Sequence, residues 1–292
     1  MGLIYQTASD WAEAREKRVL FFGMSGLGKT HLANLLRSEG SWFHYSVDYR
    51  IGTAYMGDHI TDNLKRQAMA VPFLAELLRS DSIYIGSNIT FDNLDPLSSY
   101  LGKPGNPDKG GLAFAEYMRR QDLHRRAEIN ALLDTPQFIT RAHDLYGYDN
   151  FVCDTGGSIC EVVDPADPGD EVLRTLSANT LMVWIKGGED HTEDLIRRFD
   201  KSPKPMYYQP RFMRKMWDDY KNENNLVGAD VDPDAFLRYA YGHALRHRMP
   251  LYEAMARNWG VTVQAGDVAT LRDAGDFDAL ICATLAAPRS SS

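Results

Sequence analysis

Residues Gly23-Met24-Ser25-Gly26-Leu27-Gly28-Lys29-Thr30 fit the pattern G-x-x-x-x-G-K-[ST], and no other part of the chain constrains the fold as tightly. Such a loop works only between a buried strand and the start of a helix. Its backbone N–H groups converge on one anion, and the helix end adds positive partial charge. The flanks meet this requirement: Arg18-Val19-Leu20-Phe21-Phe22 reads as a buried strand, and His31 to Ser38 carries Leu32, Leu35 and Leu36 at helical spacing. The run therefore assigns Gly23, Ser25, Gly26, Gly28, Lys29, Thr30 and His31 to a nucleotide phosphate cradle. Lys29 would reach the β- and γ-phosphates and the Thr30 hydroxyl would face magnesium, so ATP and Mg2+ are the expected cofactors.

With 292 residues and 44% hydrophobic content, the chain can bury a substantial core. Its formal charge of −8 argues against broad electrostatic binding to nucleic acid or to an anionic membrane. Cys153, Cys160 and Cys282 form no zinc pattern and leave one thiol unpaired, so a reducing cytoplasm is the expected compartment. No stretch has transmembrane length, and the N-terminus lacks the features of an export signal.

Four further strands are expected at Phe43 to Val47, Asn150 to Asp154, Thr180 to Lys186 and Val261 to Gln264. Helical patterns lie between or beyond them at Leu112 to Leu133, Thr192 to Phe199, Asp234 to Arg246, Tyr252 to Trp259 and Asp276 to Ala286. This alternation predicts an α/β fold, a five-stranded parallel sheet flanked by helices, within a single domain over 1–292. The second connection is far longer than a crossover helix needs and predicts an inserted acceptor-binding subdomain over 53–149. It contains a helix-like Ile60 to Arg79, a strand-like Ile83-Tyr84-Ile85 and the turn-rich loop Gly102 to Gly111. The tail from Pro288 to Ser292 is expected to be mobile.

Phosphoryl transfer needs charge neutralisation, a metal and an acceptor hydroxyl held in line. Val152-Cys153-Asp154 ends an apolar strand in a carboxylate that can serve the metal, and Thr155-Gly156-Gly157-Ser158 can present backbone N–H groups to a substrate. An ordinary turn capped by Asp154 has the same pattern. Asp48, at the carboxyl end of the second strand, can accept a proton from an acceptor hydroxyl, or can cap a helix. His243 and His247 share a helix face at ligand spacing, without an evident third ligand.

At this point the chain resembles the shikimate kinases, within the wider P-loop group of small-molecule and nucleoside monophosphate kinases. Besides the P-loop, Asp48-Tyr49-Arg50-Ile51 resembles the family's D-x-x-I, and Arg125-Arg126-Ala127-Glu128 resembles its arginine three residues before a glutamate. Thr155-Gly156-Gly157 resembles its glycine-rich substrate loop, and Arg248-Met249-Pro250-Leu251-Tyr252 with Ala256 resembles R-x-P-L-Y-x-x-x-A. The resemblance implies that Arg125 and Arg248 hold a substrate carboxylate, that Asp48 binds and activates the hydroxyl, and that Gly156 and Gly157 line the substrate pocket. Arg197-Arg198, Lys201 and Lys204-Pro205 look like the family's lid, here over 187–215, which places Arg197 and Arg198 at the nucleotide and Lys204 at the transferring group. Lys204 stands where the family has an arginine, and Arg211 or Arg214 is an alternative source of a guanidinium. Ser46 replaces a second aspartate and Ser158 a third glycine, so Thr30 and Asp154 become the expected metal-side pair.

The expected activity is ATP-dependent phosphorylation of a hydroxyl on a small, carboxylated metabolite. The catalytic residues would be Lys29, Asp48, Asp154 and Lys204. A nucleoside or nucleotide kinase, and a regulatory ATPase switch that binds a protein partner, are the alternatives. The expected partner is a small-molecule acceptor, with no nucleic acid and no membrane, and the expected state a monomer or homodimer.

Overall fold

Arg18–Phe22 (β1), Trp42–Ser46 (β2), Asn150–Asp154 (β3), Leu181–Lys186 (β4) and Gly260–Gln264 (β5) form one five-stranded sheet in the order β2-β3-β1-β4-β5. Every neighbouring pair is parallel. The computed structural model describes residues 3–288, and the expected mobile tail falls, beyond Pro288, outside the described residues. Four of the five strands are apolar runs buried along most of their length, as a sheet covered on both faces requires.

The helices follow in chain order. Ala8–Glu13 (α1) precedes β1, Lys29–Ser38 (α2) follows the P-loop, and Val47–Arg50 (α3) directly leaves β2. Then come Gly57–Met69 (α4), Pro72–Arg79 (α5), Asp95–Leu101 (α6), Phe114–Leu133 (α7) and Thr135–Tyr146 (α8). Ile159–Val162 (α9), Glu171–Asn179 (α10), Glu189–Lys201 (α11) and Pro210–Asn224 (α12) precede the long Pro233–Trp259 (α13), and Ala265–Val268 (α14) and Ala274–Ala286 (α15) close the chain.

The chain divides into two compact units: 1–47, 132–202 and 241–292 form one, and 48–131 with 203–240 form the other. The second unit thus begins earlier and ends earlier than the expected 53–149, and it also takes α12 and the first part of α13.

In the sheet unit the strand period of two separates the faces. Trp42 meets Phe277 of α15 with centroids 6.2 Å apart, whereas Tyr45 meets Phe138 of α8 at 4.6 Å, so these helices cover opposite faces. Phe277 is also the hub for Phe21 at 5.7 Å and Trp11 at 6.0 Å, all four rings being buried. Burial of each such ring contributes roughly 1.5–3 kcal/mol. The sheet's carboxyl edge gathers the P-loop after β1 and Asp154 at the end of β3, where ligands of open α/β sheets bind.

The second unit is helical. Phe114 stacks on Trp217 at 4.6 Å, and Phe236 meets the same indole edge to face at 5.0 Å. Ile83-Tyr84-Ile85 is not a strand: among the described residues no strand pairs with it, and Tyr84 is 92% exposed. Ile60 to Arg79 is two helices, broken at Ala70-Val71, because Pro72 excludes helical geometry in the residue before it and starts α5 instead. Conversely, Pro250 does not divide α13, which runs unbroken through both expected helices. Among the described residues no helix is long and apolar enough to cross a membrane.

Candidate functional site

The P-loop leaves β1, the central strand, and closes onto α2. Gly23, Gly26 and Gly28 have φ of +137°, +85° and +91°, a backbone that side-chain-bearing residues rarely adopt. At Gly23 a Cβ would stand 2.6 Å from the Ile185 carbonyl oxygen, so the loop is packed directly on β4. Lys29 is buried, and its Nζ donates to the carbonyls of Gly23 and Met24 at 2.9 Å each. The ammonium is thus held inside the loop that it would serve. Ser25, Gly26, Thr30 and His31 are exposed. Above the loop, α11 brings Leu195 Cδ2 and Arg198 Nη1 to 3.0 and 3.9 Å from where a Cβ on Gly26 would stand. Arg197, one residue earlier, is turned outward and ion-paired with Asp194.

Thr30 Oγ1 donates to Asp154 Oδ2 at 2.7 Å. The two residues expected at the metal therefore meet, one from the first turn of α2 and the other from the end of β3. His44 of β2 lies beside them, its Nε2 3.8 Å from the same carboxylate oxygen and its side chain fully buried. Ser46, paired in register with Asp154, is buried as well.

The loop after β3 is fixed from three sides. Thr155 Oγ1 donates to the Phe21 carbonyl at 2.9 Å. Gly157 lies so close to the P-loop that a Cβ there would meet Ser25 Oγ at 2.7 Å and Ser25 N at 3.1 Å. Tyr252 of α13 donates its hydroxyl to the Gly157 carbonyl, and burial holds that phenol well above its ordinary pKa. One helical turn before Tyr252, Arg248 Nε binds the Glu161 carboxylate, with side-chain exposures of 3% and 0%. The R-x-P-L-Y segment thus grips the glycine loop and α9 rather than leaving Arg248 open to solvent.

Asp48, Arg125 and Lys204 belong to the second unit. Asp48 is half-buried in α3, immediately beyond β2. Arg125 is half-buried on α7, and its guanidinium makes no hydrogen bond or ion pair among the described residues. Lys204 is exposed and pairs with Asp95 at 3.0 Å, while Arg211 and Arg214 are exposed on α12. The segment expected to act as one lid is divided. Its first part is α11 in the sheet unit, whereas 203–209 is built into the second unit, where Gln121 donates to the Met206 carbonyl at 3.3 Å and accepts from Tyr208 N at 2.9 Å. Tyr207 and Tyr208 are fully buried there, so this stretch is anchored rather than free. Tyr207 stacks on His124 at 5.3 Å, and burial lowers the His124 pKa to about 4.

These residues fit ATP and Mg2+. A left-handed glycine loop, a lysine trained on its interior and a hydroxyl-carboxylate pair at the helix start form a donor set of hard oxygens and backbone N–H groups, the chemistry that a magnesium nucleotide needs. No group of three or more His, Cys, Asp or Glu side chains able to hold a metal is present among the described residues, His243 and His247 included. Glu161 and His44 were not singled out from sequence. A carboxylate shortly after paired glycines, and a histidine inside an apolar strand, are the only local signals they give.

No family model matches the chain, and no curated protein matches it. Among solved structures, a shikimate kinase from Bacteroides thetaiotaomicron is similar at 15% identity, over 91% of this chain and 94% of that one, with a TM-score of 0.36. A likeness that distant says nothing about substrate or activity.

Proposed function

We propose that this chain is an ATP- and Mg2+-dependent phosphotransferase acting on a hydroxyl of a small molecule. The observation that carries the reading is the meeting of Thr30 with Asp154 beside the buried Lys29, at the carboxyl edge of a parallel sheet. Bound magnesium would supply neutralisation of phosphate charge. The chain's own part is positional. Lys29 and the loop N–H groups hold the phosphates, Thr30 and Asp154 present oxygens to the metal, and Arg198 overhangs the loop where it can close on the nucleotide. The sequence resemblance assigns Asp48 to the proton of the acceptor hydroxyl and Arg125 to an anionic group of an acceptor that has one.

A coupled ADP-release screen with ATP and Mg2+ against hydroxy acids, polyols, nucleosides and nucleoside monophosphates tests this. Phosphate appearing on one acceptor supports it. One observation favours a second reading, a regulatory ATPase switch that binds a protein partner: Val71, Phe73 and Tyr84 in the second unit are exposed at 47%, 68% and 92%. In the same screen that reading gives slow, Lys29-dependent ATP turnover that no small acceptor accelerates.

A further inference from the structure

We propose that Glu161 determines acceptor specificity: by neutralising Arg248 it leaves the Gly156-Gly157 loop an uncharged seat, which takes a polyol-like portion of the acceptor and disfavours a carboxylate. The proposal rests on the phosphotransferase reading. Gly157 packs against Ser25, so this loop lies alongside the phosphate-holding loop. A hydroxyl receiving phosphate from that loop must approach beside it.

Arg248 is a residue that the family resemblance assigns to an acceptor carboxylate. The chain supplies that carboxylate itself, from a Glu161 with no exposed side-chain surface. A guanidinium bonded to a buried carboxylate offers little net field to a second anion, and an incoming carboxylate meets the Glu161 charge as well. Tyr252, on the same face of α13, fixes the Gly157 carbonyl. Arg248 and Tyr252 are positioning residues in this arrangement, and Glu161 sets the charge of the seat.

The test compares wild type, Glu161→Gln and Arg248→Met on matched neutral and carboxylated acceptors, glycerol with glycerate and xylitol with xylonate. The expected result is a wild-type preference for the neutral member of each pair. In Glu161→Gln the ratio of kcat/KM should move toward the acid by about tenfold or more, through KM. A parallel arm needs no turnover: formate should raise the melting temperature of Glu161→Ala, where truncation opens the place of the lost carboxylate, and leave wild type unmoved. The proposal is overturned if wild type prefers the acids and Arg248→Met raises KM for the acids alone, or if formate stabilises wild type but not Arg248→Met. Should Glu161→Gln fail to fold, the effect of Arg248→Met on KM for the acids decides: no selective rise supports the proposal, and a rise for the acids alone overturns it. If no acceptor is phosphorylated, the phosphotransferase reading falls, and the formate arm still reports whether the Arg248 charge is available.

Discussion

Thr30 Oγ1 and Asp154 Oδ2 share a hydrogen bond of 2.7 Å that ties the first turn of the P-loop helix to the end of β3. With Ser46 where a second strand-end carboxylate is expected, the proposed function leaves Asp154 as the carboxylate to serve the metal. Asp154→Asn keeps the shape and the contact with Thr30 while removing the charge. On the proposed function, the magnesium concentration for half-maximal turnover should rise by about tenfold or more, since the cation would lose an anionic oxygen. Unchanged magnesium dependence in this variant would rule out the assignment.

Lys29 is held by two carbonyls of the loop it serves, Gly23 and Met24. Lys29→Ala removes the charge that the proposed function assigns to the transferring phosphates. Turnover should fall by about 10²–10³-fold, the usual effect of deleting one preorganised electrostatic contact to a transition state. Circular dichroism should show the fold retained. A variant that folds and keeps more than a tenth of wild-type ATP turnover would sink the assignment.

The strands were legible because four of them are short runs of apolar residues, a signal contained in the strand itself. The P-loop pair Lys29 and Thr30 was legible for the same reason: spacing within eight residues specifies the backbone. Contacts made across the chain were not. Glu161 meets Arg248 from 87 positions away, and nothing in Ser158-Ile159-Cys160-Glu161 indicates that its carboxylate is buried against a guanidinium. Ile83-Tyr84-Ile85 has strand-forming residues but no neighbouring edge to pair with, and local propensity cannot supply one. The proline in α13 misled in the other direction. Arg248 and Tyr252, on either side of Pro250, are both buried and bonded, and tertiary contacts carry the helix through the missing N–H.

Gly157→Ala tests whether the glycine loop sets the shape of the P-loop. The new methyl would meet Ser25 Oγ at 2.7 Å and Ser25 N at 3.1 Å, and the second of these is backbone that must shift by a few tenths of an ångström. ATP affinity should drop by roughly three- to tenfold, the size of an overpacking cost of about 1 kcal/mol. Adding Ser25→Gly removes the closer contact and should recover part of the loss. Equal ATP affinity in wild type and Gly157→Ala, by calorimetric titration, would show that the two loops do not constrain each other.

His124 predicts a pH dependence confined to the second unit. Its ring is fully buried against Tyr207, with Nδ1 3.6 Å from Glu128 Oε2, and burial lowers its pKa from 6.5 to about 4. The unfolded chain therefore binds a proton on this residue at pH values where the folded chain does not. Stability from the neutral ring is fully present above pH 6.5, declines as the pH falls from 6.5 toward 4, and is not reduced further below the folded pKa. The full effect is at most on the order of 3 kcal/mol. Urea unfolding at pH 7 and pH 4.5 measures it, with His124→Phe as the control, because the phenyl ring keeps the stack on Tyr207 and cannot take a proton. The variant should lose distinctly less stability between the two pH values than wild type. Equal losses would mean that His124 is not the group that titrates.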